Sequence, residues 1–344
     1  MVEVARVRTF VGIDAHAEHC TLKALSRQGK DVAQRDVPTK AEELRAAVGG
    51  LAKPVWVMLE ASAMAPFVAW ALEGAVDRVI VCETRQNRWI AKSEDKSDPR
   101  DADRLARLLR MGEFKEVYLP RRERQELREV VRLYGKTVQD GTRLKNRIRA
   151  KYRQQGLTVG GREVFAAEGR EAYLRRVKRP TIRLLLEVLY QELDAVEAAA
   201  ECLARRLSGM LGHRREYRRL LPIPGIGPVT AAILVAVIDD PHRFATTRKF
   251  WNYAGLSVRH PWSGRPDQAK TGGSSSGHRL LKYAAMMAAR HALRGDNRFS
   301  RHHAQMVKRG LDPAMADRTI ARGILATVLA VWKDGTDYRE SRLA

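Results

Sequence analysis

Thr9-Phe10-Val11-Gly12-Ile13-Asp14 is the stretch that decides the fold of the first part of the chain. An apolar, largely β-branched run leads into a single carboxylate, which predicts a buried strand that ends in an acid. Val55-Trp56-Val57-Met58-Leu59-Glu60 repeats the same arrangement. The sequence therefore predicts two buried strands with a carboxylate at the end of each.

Strand and helix patterns alternate around these two segments. Further strands are predicted over Cys20–Leu25, Asp31–Val37 and Val79–Cys82. Helices are predicted over Ala41–Leu51, over Pro66–Ala75, and from Ser97-Asp98-Pro99 onward, where proline occupies the first turn. The predicted order is βββαβαβα, an α/β domain.

Four carboxylates stand at the ends of these elements. Asp14 and Glu60 each end a strand, whereas Asp98 and Asp101 share one face of the last helix because they are three residues apart. Phosphoryl transfer on DNA commonly uses two divalent cations, and carboxylate oxygens are ligands that Mg²⁺ prefers. The four acids are therefore candidate ligands of a magnesium site.

Each acid also has a structural interpretation. Asp98 precedes Pro99 and is a good helix N-cap, and with Asp101 it resembles a capping pair. Spacing alone leaves Asp95 and Asp103 as further candidates, and Glu60 has the alternative of a solvated strand end. His16 and His19 flank the first strand without a second pair of zinc-type ligands, and we expect them to be surface residues.

The net charge of +23 is distributed unevenly. Residues 1–120 hold 19 Lys and Arg against 18 Asp and Glu, so the remainder carries nearly all of the excess. A basic half suits a polyanion such as DNA or RNA, although a general cationic surface is the alternative.

Cysteine usage and hydropathy restrict the class of protein further. Cys20, Cys82 and Cys202 are far apart, which indicates buried small residues rather than a disulfide framework or zinc knuckle. No apolar run is long enough to cross a bilayer, and no export signal is recognisable. We expect a cytoplasmic protein.

Two long helices are predicted in the middle of the chain. The segment from Arg121 to about Gly156 carries 12 Lys and Arg against four acids, with apolar residues at helical spacing. The second helix runs from about Thr181 to Met210. Its periodicity is compatible with an antiparallel coiled-coil hairpin, with a dimer seam, or with packing on its own domain.

Gly225-Ile226-Gly227 opens an apolar helix after an arginine-rich approach. Such a turn presents backbone N–H groups to a phosphate, as in helix-hairpin-helix motifs, and a simple loop between two helices is the alternative. Residues 259–278 are rich in turn formers, and helices are predicted from there to about Trp332.

Together, these residues resemble the RuvC-like DEDD transposases of bacterial insertion sequences, a family that includes the Piv-type invertases and the bridge-RNA-guided serine recombinases. The resemblance covers nearly the whole chain in order, although each motif alone is short. The matching motifs are Val11-Gly12-Ile13-Asp14, Leu59-Glu60-Ala61, Lys96-Ser97-Asp98-Pro99-Arg100-Asp101-Ala102, Asn146-Arg147, Ile223-Pro224-Gly225-Ile226-Gly227, Ala254-Gly255-Leu256, Arg259 and Ser263-Gly264.

The resemblance implies a composite active site. Asp14, Glu60, Asp98 and Asp101 would bind two Mg²⁺ ions, which selects these acids over Asp95 and Asp103. A serine, by position Ser263, would attack the DNA phosphate and form a transient phosphoserine link. A serine in a Ser-Gly turn would otherwise have no assigned role.

The resemblance also implies a domain plan and partners. A RuvC/RNase H-like catalytic domain would span residues 1–118, a basic helical or coiled-coil region 119–211, and a mostly helical domain with a helix-hairpin-helix-like motif and the serine loop 212–344. Partners would be element-end and target DNA, a guide RNA and further copies of the chain in a dimer or tetramer, in a nucleoid-associated protein. The implied nucleic-acid contacts are Arg143, Lys145, Asn146, Arg147, Gly225, Gly227 and Arg259.

The chain departs from the family pattern at three places. Ala61-Ser62-Ala63 stands where Ala-Thr-Gly is usual, and the usual Gly-Leu-x-Pro-Arg becomes Gly255-Leu256-Ser257-Val258-Arg259, with valine in place of proline. Ser275 replaces a lysine that the family often has, which leaves Lys270 or His278 to supply the missing charge. Two other functions compete with a serine-dependent transposase: a junction-resolving nuclease that uses water, and a non-catalytic nucleic-acid-binding protein.

Overall fold

The computed structural model describes residues 4–83, 98–259, 272–273 and 277–340. The chain divides into two compact units: Met1–Arg122, the sheet unit, and Glu123–Ala344, the helical unit. The predicted succession of an α/β region and a mostly helical region is confirmed.

The sheet unit contains five strands and three helices in the predicted order βββαβαβα. They are β1 (Thr9–Ala15), β2 (His19–Ser26), β3 (Asp31–Pro38), α1 (Ala41–Val48), β4 (Val55–Glu60), α2 (Ala65–Ala71), β5 (Arg78–Cys82) and α3 (Asp98–Met111). The strands form one sheet in the spatial order β3-β2-β1-β4-β5. β1, β2 and β3 pair antiparallel, whereas β1, β4 and β5 are parallel neighbours.

The two faces of this sheet have different cores because side chains alternate along each strand. Val11, Ile13, Val57 and Leu59 pack toward α1 and α2. The intervening residues of the same strands face α3, and this second core includes Phe10, Trp56, Met58, Ile80, Leu105 and Leu109. Both faces of the central strands are therefore buried, which explains their uninterrupted apolar sequence.

Gly12 lets α3 lie directly on β1. A methyl group at this position would overlap the carbonyl oxygen of Ala102 and lie 2.5 Å from the backbone nitrogen of Ala106. Glycine is therefore required by the close approach of two backbones. This contact brings the first turn of α3 to the edge of the sheet where β1 ends.

The helical unit consists mainly of helices, with a pair of short strands. They are α4 (Arg122–Gln154), α5 (Ala167–Leu174), α6 (Pro180–Leu211), α7 (Arg215–Leu220), α8 (Pro228–Ile238), α9 (Thr247–Tyr253), β6 (Val258–Arg259), β7 (Gly272–Gly273), α10 (Arg279–Ala292), α11 (Arg298–Lys308) and α12 (Pro313–Asp334). The core surrounds α8, in which every residue from Ala231 to Ile238 is buried. Helices α6, α7 and α10 pack around it.

The two long helices, α4 and α6, lie antiparallel within the helical unit. The Tyr152 and Tyr190 hydroxyls are 3.1 Å apart near one end, and Lys145 Nζ lies 2.6 Å from Glu197 Oε1 further along. Near the other end Leu127 and Leu207 enter the same buried cluster. The predicted bounds of both helices hold, and one face of α6 packs on its own unit.

Two of the three cysteines are buried as predicted, Cys20 and Cys82. The prediction is wrong for Cys202, which is exposed. The reason is that Leu207 and Leu193 form the inward face of α6, and Cys202 lies on its outer side.

Candidate functional site

Asp14 and Glu60 end adjacent parallel strands on the same side of the sheet. Ile13 pairs with Leu59 in the ladder, so the two acids that follow occupy matching positions. Each is two residues beyond a position on the α3 face, Gly12 or Met58, and side chains alternate along a strand. Both carboxylates therefore lie on the side of the sheet that α3 covers.

Helix α3 brings Asp98 and Asp101 to the same edge. Ligand atoms of Asp14 and Asp98 lie within 4.8 Å of each other, and Asp101 is three residues further along the same helix. Asp101 also accepts a hydrogen bond of 3.0 Å from Arg104 Nη1 on its own helix. The end of β1 and the start of α3 therefore lie close together.

Asp103 lies on α3 but has a different partner. Its Oδ2 accepts a hydrogen bond of 2.7 Å from Arg107 Nε, one turn along the helix. Asp103 is therefore engaged in an ion pair within α3. The other alternative, Asp95, lies outside the described residues.

His16 and His19 are surface residues, as predicted, and they also contact the acidic cluster. His16 Nε2 lies 3.2 Å from Asp14 Oδ2 and 3.6 Å from Asp98 Oδ2, and His19 Nε2 lies 3.1 Å from that same Asp98 oxygen. Both imidazoles are about half exposed, at 48% and 51%. They are surface residues, but they contact two of the predicted site carboxylates.

A tight hairpin turn explains why both histidines reach the cluster. Ala15 and Cys20 are the last paired residues of β1 and β2, and the His16 backbone N–H donates to the His19 carbonyl at 3.0 Å. The two rings consequently stack, with centroids 5.2 Å apart. The sequence signal was a histidine two residues beyond a strand-ending Asp and another across a short turn.

The electrostatics of Asp14 favour a cation. Burial is the main cause that raises its pKa, and the Asp98 and Asp101 charges add to the shift, whereas His16 lowers it. For Asp98 the hydrogen bond from His19 is the largest cause, and it lowers the pKa. Because a partly buried carboxylate beside two others is costly to ionise, a bound cation would stabilise the cluster. Asp14, His16 and Asp98 each offer a ligand atom, and these atoms all lie within 4.8 Å of one another.

Ser263, Lys270 and Ser275 lie outside the described residues, and Arg259 is described only as a backbone position of β6. β6 and β7 pair antiparallel through Val258 with Gly273 and Arg259 with Gly272.

His278 does not supply the positive charge suggested by the lysine replacement. It caps α10, where its Nδ1 accepts a hydrogen bond of 3.3 Å from the Leu281 N–H. Burial lowers its pKa to about 4, and nearby arginines lower it as well. The imidazole is therefore neutral at neutral pH.

The basic positions on α4 differ in how far they are engaged. Arg143 pairs with Asp140 one turn away on the exposed surface, and Asn146 and Arg147 are exposed. Lys145 is held by Glu197 of α6 and lies 5.5 Å from the centre of the Phe165 ring. Arg147 is therefore better placed than Lys145 to meet a phosphate.

The two glycines before α8 have different surroundings. Gly225 adopts a φ of +85°, and a methyl group there would overlap the carbonyl oxygen of Ala288 in α10. At Gly227 a methyl group would meet nothing within 4 Å. Close packing therefore explains Gly225, while Gly227 leaves open space at the start of α8.

Two transposase family models match the chain. One, a transposase model of the IS110 DEDD type, matches residues 11–154, and one described as the IS116/IS110/IS902 transposase family matches residues 217–304. Together the matches span about two thirds of the chain. The chain belongs to the IS110/IS116 transposase family.

Relatives of the chain include proteins from three bacteria. It is 25% identical over 210 residues to the transposase for insertion sequence element IS1111A of Coxiella burnetii, covering 58% of the chain and 56% of the relative. It is 27% identical over 163 residues to an insertion element IS110 protein of Streptomyces coelicolor, covering 47% and 40%. A "Probable family 20 transposase" of Pseudomonas aeruginosa is 27% identical over 174 residues, covering 49% and 52%. The matched part is thus about half the length of these relatives.

The matched ranges include the candidate site residues. Asp14, Glu60, Asp98 and Asp101 fall in the first range, and Ser263 falls in the second. Within the described part of the chain, none of the helices has the length and apolar character needed to cross a membrane.

Proposed function

We propose that this transposase cleaves and rejoins DNA in a divalent-metal-dependent reaction, with Ser263 as the nucleophile. The observation that carries the proposal is the closeness of Asp14 to Asp98 at the end of β1, on the helix that also bears Asp101 and next to the parallel strand that ends in Glu60. In a transposase, carboxylates that bind metal ions would promote cleavage of a DNA phosphodiester bond.

The carboxylates would hold one or two Mg²⁺ ions, which would supply positive charge to polarise the scissile phosphate. Their own contribution is to fix the position of that charge, because β1, β4 and α3 are anchored in one buried core. A RuvC-like catalytic fold is consistent with this arrangement of a mixed sheet and a following helix.

The serine step conserves the phosphodiester energy. Ser263 Oγ loses its proton and forms a bond to phosphorus, while the bond from phosphorus to one sugar oxygen breaks and that oxygen takes up a proton. Attack by a sugar hydroxyl on the phosphoserine reverses the step and rejoins DNA without ATP. Ser263 and the acids belong to different units, so the proposal requires both units, of one copy or two, to act on one phosphate.

We also propose the domain plan that the resemblance implies: a catalytic domain over residues 1–118, a helical region over 119–211 and a serine-bearing domain over 212–344. The basic residues of the last two regions would bind element ends, target DNA and a guide RNA, with Gly227 at a helix-hairpin-helix-like turn. Phosphates of RNA and DNA attract the same side chains. Sequencing nucleic acid that co-purifies with the protein tests for the guide.

Covalent capture tests the nucleophile. The full chain is incubated with element-end DNA and Mg²⁺, denatured, and searched by mass spectrometry for a nucleotide on Ser263. We expect the adduct in the wild type and its loss, with loss of cleavage, in Ser263→Ala. If Ser263→Ala still cleaves the strand, water is the nucleophile and the junction-resolving nuclease is the better description.

A further inference from the structure

The acidic site carries nitrogen donors that a pure carboxylate site lacks. His16 Nε2 lies near oxygens of two different carboxylates, 3.2 Å from Asp14 Oδ2 and 3.6 Å from Asp98 Oδ2. A hydrogen bond needs only one of these contacts. Asp14, His16 and Asp98 each offer one ligand atom, and these atoms all lie within 4.8 Å of one another, which is close enough for one ion to contact all three.

These separations match the ligand shell of one ion. Metal–nitrogen and metal–oxygen bonds of roughly 2.0–2.2 Å place neighbouring ligands of a tetrahedral ion about 3.3–3.6 Å apart. The two distances from His16 Nε2, 3.2 and 3.6 Å, lie at the limits of that range. The three residues would supply three ligands of such an ion.

We propose that His16 is a nitrogen ligand of an ion held with Asp14 and Asp98, and that it makes the site select first-row transition ions over Mg²⁺. Imidazole nitrogen is a poor ligand for Mg²⁺ and a good one for the transition ions, whose affinity also rises along the row. The inference rests on the proposed function in that the acidic cluster is a metal site.

His19 has a positioning role in this arrangement. Its Nε2 contacts Asp98 Oδ2 at 3.1 Å, and its ring stacks on His16 with 21° between the planes. A hydrogen bond to a ligating carboxylate and a stacked neighbour both restrict the orientation of metal ligands. Its removal weakens binding without changing the set of ligand atoms.

Direct metal binding by the full chain, without DNA, tests the proposal. Protein freed of metal with a chelator is titrated with Co²⁺, whose visible absorption bands report the ligand atoms, and Mg²⁺ affinity is measured in parallel by calorimetry. The variants are His16→Gln and His19→Gln. Because these side chains are about half exposed, both variants are expected to fold, and circular dichroism checks this.

His303→Gln is the matched control. His303 Nε2 lies 3.0 Å from Asp317 Oδ1 in the helical unit, so this pair has the same chemistry as His19 with Asp98. Asp317 and His303 belong to no cluster of three or more metal-type donors among the residues the structure describes. We expect His303→Gln to leave Co²⁺ binding unchanged.

We expect His16→Gln to weaken Co²⁺ binding by about tenfold or more, since loss of even an outer partner costs roughly 10–100-fold. Its Co²⁺ bands shift, while Mg²⁺ affinity changes by less than about twofold. His19→Gln gives a smaller loss with unshifted bands. Unchanged Co²⁺ affinity and bands in His16→Gln, or no Co²⁺ bound by the wild type, overturns the inference. Neither result bears on capture of the Ser263 adduct with Mg²⁺, which decides the proposed function separately.

Discussion

The sheet unit and the helical unit differ in charge and in architecture. The first 120 residues are almost neutral, and the rest of the chain carries nearly all of the charge of +23. In the sheet unit, a rigid mixed sheet brings acids together at one edge. In the helical unit, an apolar core around α8 supports a basic exterior. Under the proposed function, charge density would govern the attraction of nucleic acid, whereas backbone geometry would govern the chemistry.

Replacing one acid of the candidate site should lower the rate of DNA cleavage far more than the affinity for DNA. Asp14→Asn keeps the shape of the side chain but loses its charge, and we expect DNA cleavage to fall by about a thousandfold or more. The dissociation constant for DNA, measured by fluorescence anisotropy, should change by less than about twofold. Asp103→Asn is the control, since Asp103 pairs with Arg107. Equal loss in both variants would contradict the assignment.

The stability of the sheet unit should be sensitive to any side chain added where the backbones of β1 and α3 meet. In Gly12→Ala the new methyl group meets the backbone of Ala102 and Ala106, so we expect about 3 kcal/mol of destabilisation by overpacking. Gly50→Ala is the control because a methyl group there meets nothing within 4 Å. Calorimetry should show the loss in the first variant alone. A stable Gly12→Ala protein would show that α3 can shift.

Acid should weaken the helical unit through His278. The pKa of His278 in the folded protein, about 4, lies below its ordinary value of 6.5. The contribution of neutral His278 to the free energy of unfolding is therefore fully present above pH 6.5 and is lost as the pH falls toward 4. Between pH 7.5 and 5 the loss should be about 2 kcal/mol. His278→Asn should reduce this pH dependence in denaturant unfolding, whereas the exposed His302→Asn should not. Parallel curves for wild type and His278→Asn would refute the assignment.

Single basic residues on α4 should have the smallest effects. Arg147→Gln should lower the slope of log affinity against log salt by about 1, as expected for one lost phosphate contact. Lys145→Gln should lower it by less than half of that, because Glu197 already neutralises the ammonium group. DNA-binding isotherms at several salt concentrations measure both slopes. A larger effect at Lys145 would show that the ion pair opens on binding.

The strands and long helices were predictable because their signals are local. Buried strands that end in acids are predicted by Val11-Gly12-Ile13-Asp14 and by Val57-Met58-Leu59-Glu60. Both strands are found there. The face of α8 was not predictable, since all of its residues from Ala231 to Ile238 are apolar and no period distinguishes one side. The same limit applies to Cys202, whose exposure depends on which side of α6 packs inward.

Part of the candidate site followed from the same local rules. Parallel strands end at one edge of a sheet, so Asp14 and Glu60 could be placed together, and the helical spacing linked Asp98 to Asp101. The histidines were missed because one lies in a turn and the other begins a strand, where neither periodicity applies. Pairing of Ala15 with Cys20 closes that turn and turns both rings toward the acids.

By itself, the sequence determined the order of elements, the division between a neutral and a basic region, and the carboxylates at element ends. These properties depend on side-chain type and spacing over a few residues. Only the tertiary structure decided that Gly12 admits α3, that His16 lies between Asp14 and Asp98, and that His278 is neutral. Those properties depend on distances between segments remote in the chain and on the water that packing removes, which no local pattern encodes.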